Sequence, residues 1–117
     1  MWIRKAADQG DSSAQTFLGL MYDEGHGVPQ DYKEAKKWFS KAADQGDSGG
    51  QIFLGFLYAE GHGVPQDYVQ AHKWFNIASA NGNKDAIKNR DTVAQQMTSA
   101  QIAEAHKLAT EWMNQHP

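Results

Sequence analysis

A chain of 117 residues with 40% hydrophobic residues has the size of one domain with a continuous core. Lys and Arg total 11 against 14 Asp and Glu, and the formal net charge of −3 argues against a nucleic-acid partner. The absence of cysteine excludes disulfides and thiolate metal sites.

No apolar run approaches the roughly 18 residues of a membrane span, and no signal-peptide pattern is present, so we expect a soluble chain without membrane association. The compartment is left open, cytoplasmic or, if the N-terminus is truncated, exported.

Two tracts of the chain repeat each other at a fixed interval. Residues 2–37 and 38–73 align without a gap and are identical at 25 of 36 positions. A period of roughly 20–50 residues is typical of solenoid arrays, in which each unit buries its apolar face against its neighbours. The repeat therefore predicts an extended stack, a shape that offers a binding surface more often than a catalytic centre.

The first full helix of each unit, the A-type helix, is marked by apolar residues at helical spacing. This spacing predicts helices over about residues 12–24 and 48–60. Both segments run into the sequence Gly-His-Gly-Val-Pro-Gln, at 25–30 and 61–66. The first Gly suits a left-handed C-terminal cap and the Pro cannot continue a helix, so both helices are expected to stop there.

A second, B-type helix follows in each unit, over about 32–45 and 68–81. An aspartate precedes each one, and a Glu or Gln follows three residues later, which is the pattern of a capping box: Asp31 with Glu34, and Asp67 with Gln70. A glycine then ends each B-type helix, and the next residue is a good N-cap for the following helix.

The third unit, residues 74–97, follows the repeat pattern at its start and then diverges from it. A helix is still expected over about 84–97. A Thr-x-x-Gln capping box then opens a final helix over about 99–114, so residues 98–117 are expected to cap the array.

The front of the chain lacks a comparable cap. Repeat 1 begins at Trp2, inside a truncated B-type helix, as in a fragment of a longer array. We expect this uncapped end to leave apolar surface open and to favour self-association.

The positions shared by the two units resemble a known repeat family. Over residues 6–39 they read Ala-Ala-x-x-Gly, Ala-Gln-x-x-Leu-Gly-x-x-Tyr-x-x-Gly-x-Gly-Val and Asp-Tyr-x-x-Ala-x-x-Trp-Phe. This pattern is similar to the Sel1-like repeat, a relative of the tetratricopeptide repeat. The resemblance implies that residues 1–117 form a single all-α domain, a right-handed α/α superhelix, or solenoid, of antiparallel helix pairs with period 36. It also implies a non-catalytic adaptor or scaffold, of a kind common in bacteria, that binds a protein or peptide without a cofactor.

Positions where the two units differ are the candidates for binding, because packing constrains them less. The groove-lining A-helix positions of tetratricopeptide-like arrays carry over to Ser13, Thr16, Leu20, Asp23, Gly49, Ile52, Phe56, Ala59, Asp85, Lys88 and Thr92. We expect Leu20, Ile52 and Phe56 to be exposed apolar anchors on the concave face. Acidic residues at the rim favour an amphipathic helix or extended peptide with some basic character: Asp23, Glu24 and Glu60.

The sequence argues against three alternatives to this interpretation. A β-lactamase-type hydrolase would need a Ser-x-x-Lys motif, and the sequence has none, so no catalytic residue is predicted. A helical-repeat RNA reader conflicts with the acidic balance of the chain. His26 and His62 occupy equivalent loops, which helix packing separates by roughly 8–10 Å, too far to share one metal ion.

Overall fold

The computed structural model describes residues 2–117, and this part of the chain contains seven α-helices and no strand. The helices are α1 Trp2–Asp8, α2 Ser12–Glu24, α3 Tyr32–Asp44, α4 Ser48–Glu60, α5 Tyr68–Ala80, α6 Lys84–Ala94 and α7 Ser99–Gln115. From α1 to α6 each helix packs against the next along the chain, whereas α7 turns back and packs onto α5. The described residues extend over 45 × 29 × 21 Å, which confirms the predicted all-α solenoid.

The helix boundaries follow the predicted period closely. The A-type helices α2 and α4 have the predicted bounds, and the B-type helices α3 and α5 end one residue earlier than predicted. The larger error is in α6, which ends at Ala94 and not at residue 97. There, the Gln96 and Met97 amides bond three residues back, to Val93 and Ala94, at 2.9 and 3.1 Å. This tighter turn brings the chain to the extended N-cap of α7 at Thr98.

The start of each B-type helix corrects one prediction. Asp31 caps α3 by accepting hydrogen bonds from the amides of Lys33 and Glu34, at 3.0 and 3.2 Å. The reciprocal half of the capping box is absent, because the Asp31 amide donates to the Tyr22 carbonyl at 2.9 Å. That bond ties the B-type helix to the preceding A-type helix. Among the described residues the capping box is complete only at Thr98, as predicted for α7.

Close packing within each helix pair depends on one glycine. A Cβ atom added at Gly19 would lie 2.5 Å from the Phe39 ring, and one at Gly55 would lie 2.6 Å from the Phe75 ring. Both rings are about 1% exposed, so they have no room to move aside. The glycine therefore sets the distance between the A-type and B-type helices of both units.

Adjacent pairs of A-type and B-type helices are joined by buried glutamines. The Gln15 side-chain amide donates to the Ala7 carbonyl at 3.1 Å, and Gln51 donates to the Ala43 carbonyl at 3.2 Å. Each glutamine side-chain carbonyl in turn accepts a hydrogen bond from the end of the B-type helix in its own pair: from Gln45 to Gln15 at 2.7 Å, and from Asn81 to Gln51 at 3.2 Å. The series stops at the third unit, where Ile87 occupies the equivalent position and is exposed.

The third unit is held by a junction of α5, α6 and α7. His72 on α5 is buried, and its ring meets the His106 ring of α7 edge to face, with centroids 5.3 Å apart. Burial, His106 and Arg90 lower the pKa of His72 from 6.5 to about 4, against the opposing effect of Asp91. The imidazole is therefore neutral in the folded protein at neutral pH.

Candidate functional site

A groove of about 410 Å³ lies between the two full A-type helices, α2 and α4. We call it the first groove. Its base includes two buried residues, Phe39 of α3 and Leu57 of α4. The residues along its length combine aromatic rings with carboxylates: Leu20, Asp23, Glu24, Tyr32, Phe39, Phe53, Phe56, Leu57, Glu60 and His62.

A second groove, of about 550 Å³, lies between α4 and α6. It shares Phe53 and Phe56 with the first groove, so the two depressions adjoin across an aromatic ridge. Its residues carry one carboxylate, one ammonium group and two side-chain amides: Gly49, Ile52, Phe53, Phe56, Asn83, Asp85, Lys88 and Asn89. We call the surface formed by α2, α4 and α6 the A-helix face.

The aromatic ridge is held in place by the B-type helices below it. Phe53 stacks on Phe39 with ring centroids 5.4 Å apart, and Phe56 meets Phe75 edge to face at 5.3 Å. Both ridge residues are half-buried, so each keeps part of its ring accessible. Aromatic side chains fixed in this way lose little conformational freedom when a ligand covers them.

The structure brings most of the candidate residues together. Leu20, Asp23, Phe56 and Glu60 line the first groove, and Lys88 lies in the second groove. Gly49, Ile52 and Asp85 also line the second groove. The remaining candidates line neither groove: Ser13, Thr16, Ala59 and Thr92.

Two of the predicted positions are engaged in packing. Ile52 is 8% exposed, so the prediction that it is an exposed anchor is wrong. It packs in an apolar cluster with Phe75 and with Ala86 of α6, because α6 covers this part of α4. Thr16, its equivalent in the first unit, donates a hydrogen bond to the Asp47 carboxylate at 2.9 Å and so contacts the next unit.

The first groove has an acidic end whose charges are incompletely balanced. Burial raises the pKa of the Asp23 carboxyl, and Glu24 and Glu60 add to this, while His62 opposes it. Glu60 has His62 as an ionic neighbour at 3.6 Å. Within residues 2–117 no hydrogen bond or ion pair holds the Asp23 carboxylate. An ionised Asp23 therefore lacks a fixed cation.

Sequence reasoning missed the groove wall contributed by the loop after α4. The His62 ring stacks on Tyr32 of α3, with centroids 4.5 Å apart and planes 21° from parallel. Gly63 has a positive φ of 76°, and a Cβ atom there would lie 2.8 Å from Tyr32. The repeated Gly-His-Gly sequence is the available signal, but from sequence alone it indicates a helix stop, and its histidines suggest only a metal pair that their separation excludes.

Two other kinds of site are absent from the described residues. Between residues 2 and 117, no three His, Asp or Glu side chains are grouped so that they could hold a metal ion. In the same part of the chain, no helix has both the length and the apolar character of a membrane span.

Stacked helix pairs with grooves between successive A-type helices define the class: this is an α-helical repeat protein. The family model described as Sel1 repeat matches residues 1–11, 12–47 and 48–83. The chain therefore belongs to the Sel1 repeat family. The matched units begin at the A-type helices, which is the same period counted from a different starting residue.

Two solved structures illustrate the relationship. The structure of c5321, a protective antigen present in uropathogenic Escherichia coli strains displaying an SLR fold, is similar with a TM-score of 0.94 and 40% identity, over 97% of this chain. A Sel1 repeat protein from Oxalobacter formigenes gives a TM-score of 0.74 and 40% identity over 78% of this chain and 68% of its own. This chain spans only 24% of the c5321 structure. No functionally curated protein matches the sequence significantly.

Proposed function

We propose that this chain is a non-catalytic protein-interaction module that binds a segment of another protein along the A-helix face. The observation that carries the proposal is the pair of adjoining grooves, which share the half-buried Phe53 and Phe56. Grooves lined by fixed apolar side chains with a few polar groups are typical of sites that hold peptide segments. Membership in the Sel1 repeat family, whose members are typically interaction scaffolds, supports the same function.

The test is a selection of random short peptides displayed on phage, with the purified chain as bait. Selected peptides should bind the wild type and lose at least about tenfold in affinity on Leu20→Ser or Phe56→Ser, because anchor side chains dominate such interfaces. Ile87→Ser is the matched control, since Ile87 is 41% exposed and lies outside both grooves. Circular dichroism melting would verify that each variant is folded.

Equal binding to the wild type and to both folded groove variants would overturn the assignment of the A-helix face. Turnover of a chromogenic β-lactam by the purified chain would contradict the non-catalytic part of the proposal. Neither result depends on knowing the natural partner.

Self-association is a separate part of the proposal, with its own observation. Trp2 is 83% exposed and Phe17 is 56% exposed, which supports an apolar contact at the α1–α2 end. A concentration-dependent mass in light scattering that disappears in Trp2→Ser would support it. A constant monomer mass at all concentrations would refute it.

A further inference from the structure

The first groove carries an excess of negative charge beside an apolar wall. Among the described residues that line it are three carboxylates and no Lys or Arg. The second groove, built on the same repeat, carries one carboxylate and one ammonium group. Because both grooves share Phe53 and Phe56, they differ in charge more than in aromatic surface.

Part of the difference arises at one repeat position. Asp23 lines the first groove, and the equivalent residue one unit later is Ala59. Glu24 and Glu60 are equivalent to each other, so the repeat preserves a carboxylate at their position. Asp23 is thus a carboxylate of the first groove that the repeat does not preserve, and it lacks a fixed cationic partner among the described residues.

The shape of the first groove suits a long cationic side chain. Leu20 and Phe56 offer apolar surface on which methylene groups can lie, while the charged end stays near the acidic rim. The aromatic rings add a favourable field for a cation placed over their faces. A volume of about 410 Å³ lies within the roughly 300–1,000 Å³ range of small-ligand sites.

We propose that the first groove is a recognition site for a lysine or arginine side chain of the bound segment. Asp23, Glu24 and Glu60 receive the cationic end, and Leu20 and Phe56 hold its aliphatic stem. The second groove then takes a neutral or apolar part of the same segment. This inference rests on the proposed function, because it specifies which side chain enters one of the two grooves.

The test uses three blocked peptides that differ in one central residue. They are acetyl-Ala-Leu-X-Leu-Ala-amide with X as lysine, norleucine or glutamate, titrated into the isotope-labelled chain and followed by nuclear magnetic resonance. We expect the lysine peptide to shift the amides of residues 20–24 and 56–62, with affinity about tenfold above norleucine and higher still above glutamate. Added salt should reduce that preference, because it screens partly exposed charges.

Variants assign the preference to the groove. Asp23→Asn should reduce the lysine-over-norleucine ratio by about three- to tenfold. Asp8→Asn is the matched control, because it removes an exposed carboxylate that lies outside both grooves and should leave the ratio unchanged. An unchanged ratio in Asp23→Asn would overturn the inference.

The outcomes separate this inference from the proposed function. If all three peptides shift the first groove equally, the A-helix face still binds peptides but the cation site is refuted. If no peptide shifts either groove at concentrations well above those of weak peptide ligands, the cation site is refuted together with the first groove as a peptide site. If the lysine peptide shifts only residues outside the first groove, the inference alone fails.

Discussion

The two grooves of the A-helix face are built alike and charged differently. In both, an A-type helix approaches its B-type partner through a glycine, Gly19 in one unit and Gly55 in the next. Both share the aromatic ridge of Phe53 and Phe56. The first groove nevertheless has three carboxylates, whereas the second combines one carboxylate with Lys88. The two units keep the same packing of A-type and B-type helices, which we call the helical frame. A few substitutions on that frame change the charge of the groove surfaces.

The difference also extends to how firmly each groove is supported. The first groove lies between two full pairs of helices that are joined by the hydrogen bond from Gln51 to the Ala43 carbonyl. The second groove depends on α6, where the glutamine position is the exposed Ile87 and the helix is supported by α5. Substitutions can therefore test the stability of the helical frame separately from the charge of each groove.

The largest expected effect is the loss of close packing between an A-type helix and its B-type partner. Gly55→Val would place a side chain against the buried Phe75 ring, and we expect it to lower the free energy of unfolding by about 3 kcal/mol or more. Thermal unfolding followed by circular dichroism measures the change. Thr110→Val on the exposed side of α7 is the control and should leave the melting temperature within a few degrees. A melting temperature unchanged by Gly55→Val would contradict the close packing described here.

Removal of one inter-unit glutamine should have the next largest effect. Gln51→Ala removes the side-chain donor to the Ala43 carbonyl, which then keeps the Gly46 amide at 3.0 Å. It also removes the acceptor of Asn81 and truncates a fully buried side chain, at a cost of about 2 kcal/mol. Urea unfolding measures it. The matched change Gln45→Ala removes an exposed partner and should cost less than half as much. Equal costs for the two variants would refute the role of buried hydrogen bonds between units.

Acid should weaken the second groove before the first. The pKa of His72 is about 4 in the folded protein and 6.5 in the unfolded chain. Between pH 4 and pH 6.5 the unfolded chain therefore binds a proton that the folded protein excludes. The free energy of unfolding should therefore fall as pH drops from 6.5 to about 4, by an amount on the order of 2 kcal/mol.

Hydrogen exchange measures how strongly acid destabilises the helices of each groove. Amides of α6 should lose protection at pH 5 relative to pH 7 more than those of α2, after correction for intrinsic rates. His72→Leu should abolish this difference, because it removes the titrating ring. A loss of α6 protection that persists in His72→Leu would assign the effect to other groups.

The smallest expected effect is that of a change in the charge of the second groove. Lys88→Gln removes the ammonium group that lines the second groove and should raise lysine-peptide binding there by about threefold. The gain is small because Asp85, the carboxylate that lines this groove, is exposed to solvent. Lys88→Arg is the control that keeps the positive charge, and an equal gain in both variants would show that charge is not the cause.

The sequence predicts the helical frame well because its signals are local. Aspartate caps, left-handed glycines and apolar spacing act over a few residues, and α2 and α4 have the predicted bounds. The largest boundary error is in α6, where neither a glycine nor a proline ends the helix. A tightened turn after Val93 ends it, and no simple sequence pattern specifies such a turn.

The sequence predicts only part of the candidate site. The A-helix residues of the groove can be inferred from the repeat, but the residues of the facing wall cannot. The A-helix positions that carry over from related arrays include Leu20, Asp23 and Phe56, which do line the first groove. The walls made by Tyr32 and His62 come from a B-type helix and a loop, and their proximity depends on how adjacent units stack. Burial of Ile52 likewise depends on α6, whose sequence no longer follows the repeat.

The buried glutamines limit how such a molecule can change in length. Each bond spans the boundary between one unit and the next, from Gln15 to Ala7 and from Gln51 to Ala43. Insertion of part of a unit would leave a donor or acceptor inside the protein without its counterpart. Duplication of a whole 36-residue segment would supply a new glutamine together with a new carbonyl for it. Gene duplication in steps of one complete unit is therefore the route by which this architecture can lengthen while its interior remains hydrogen-bonded.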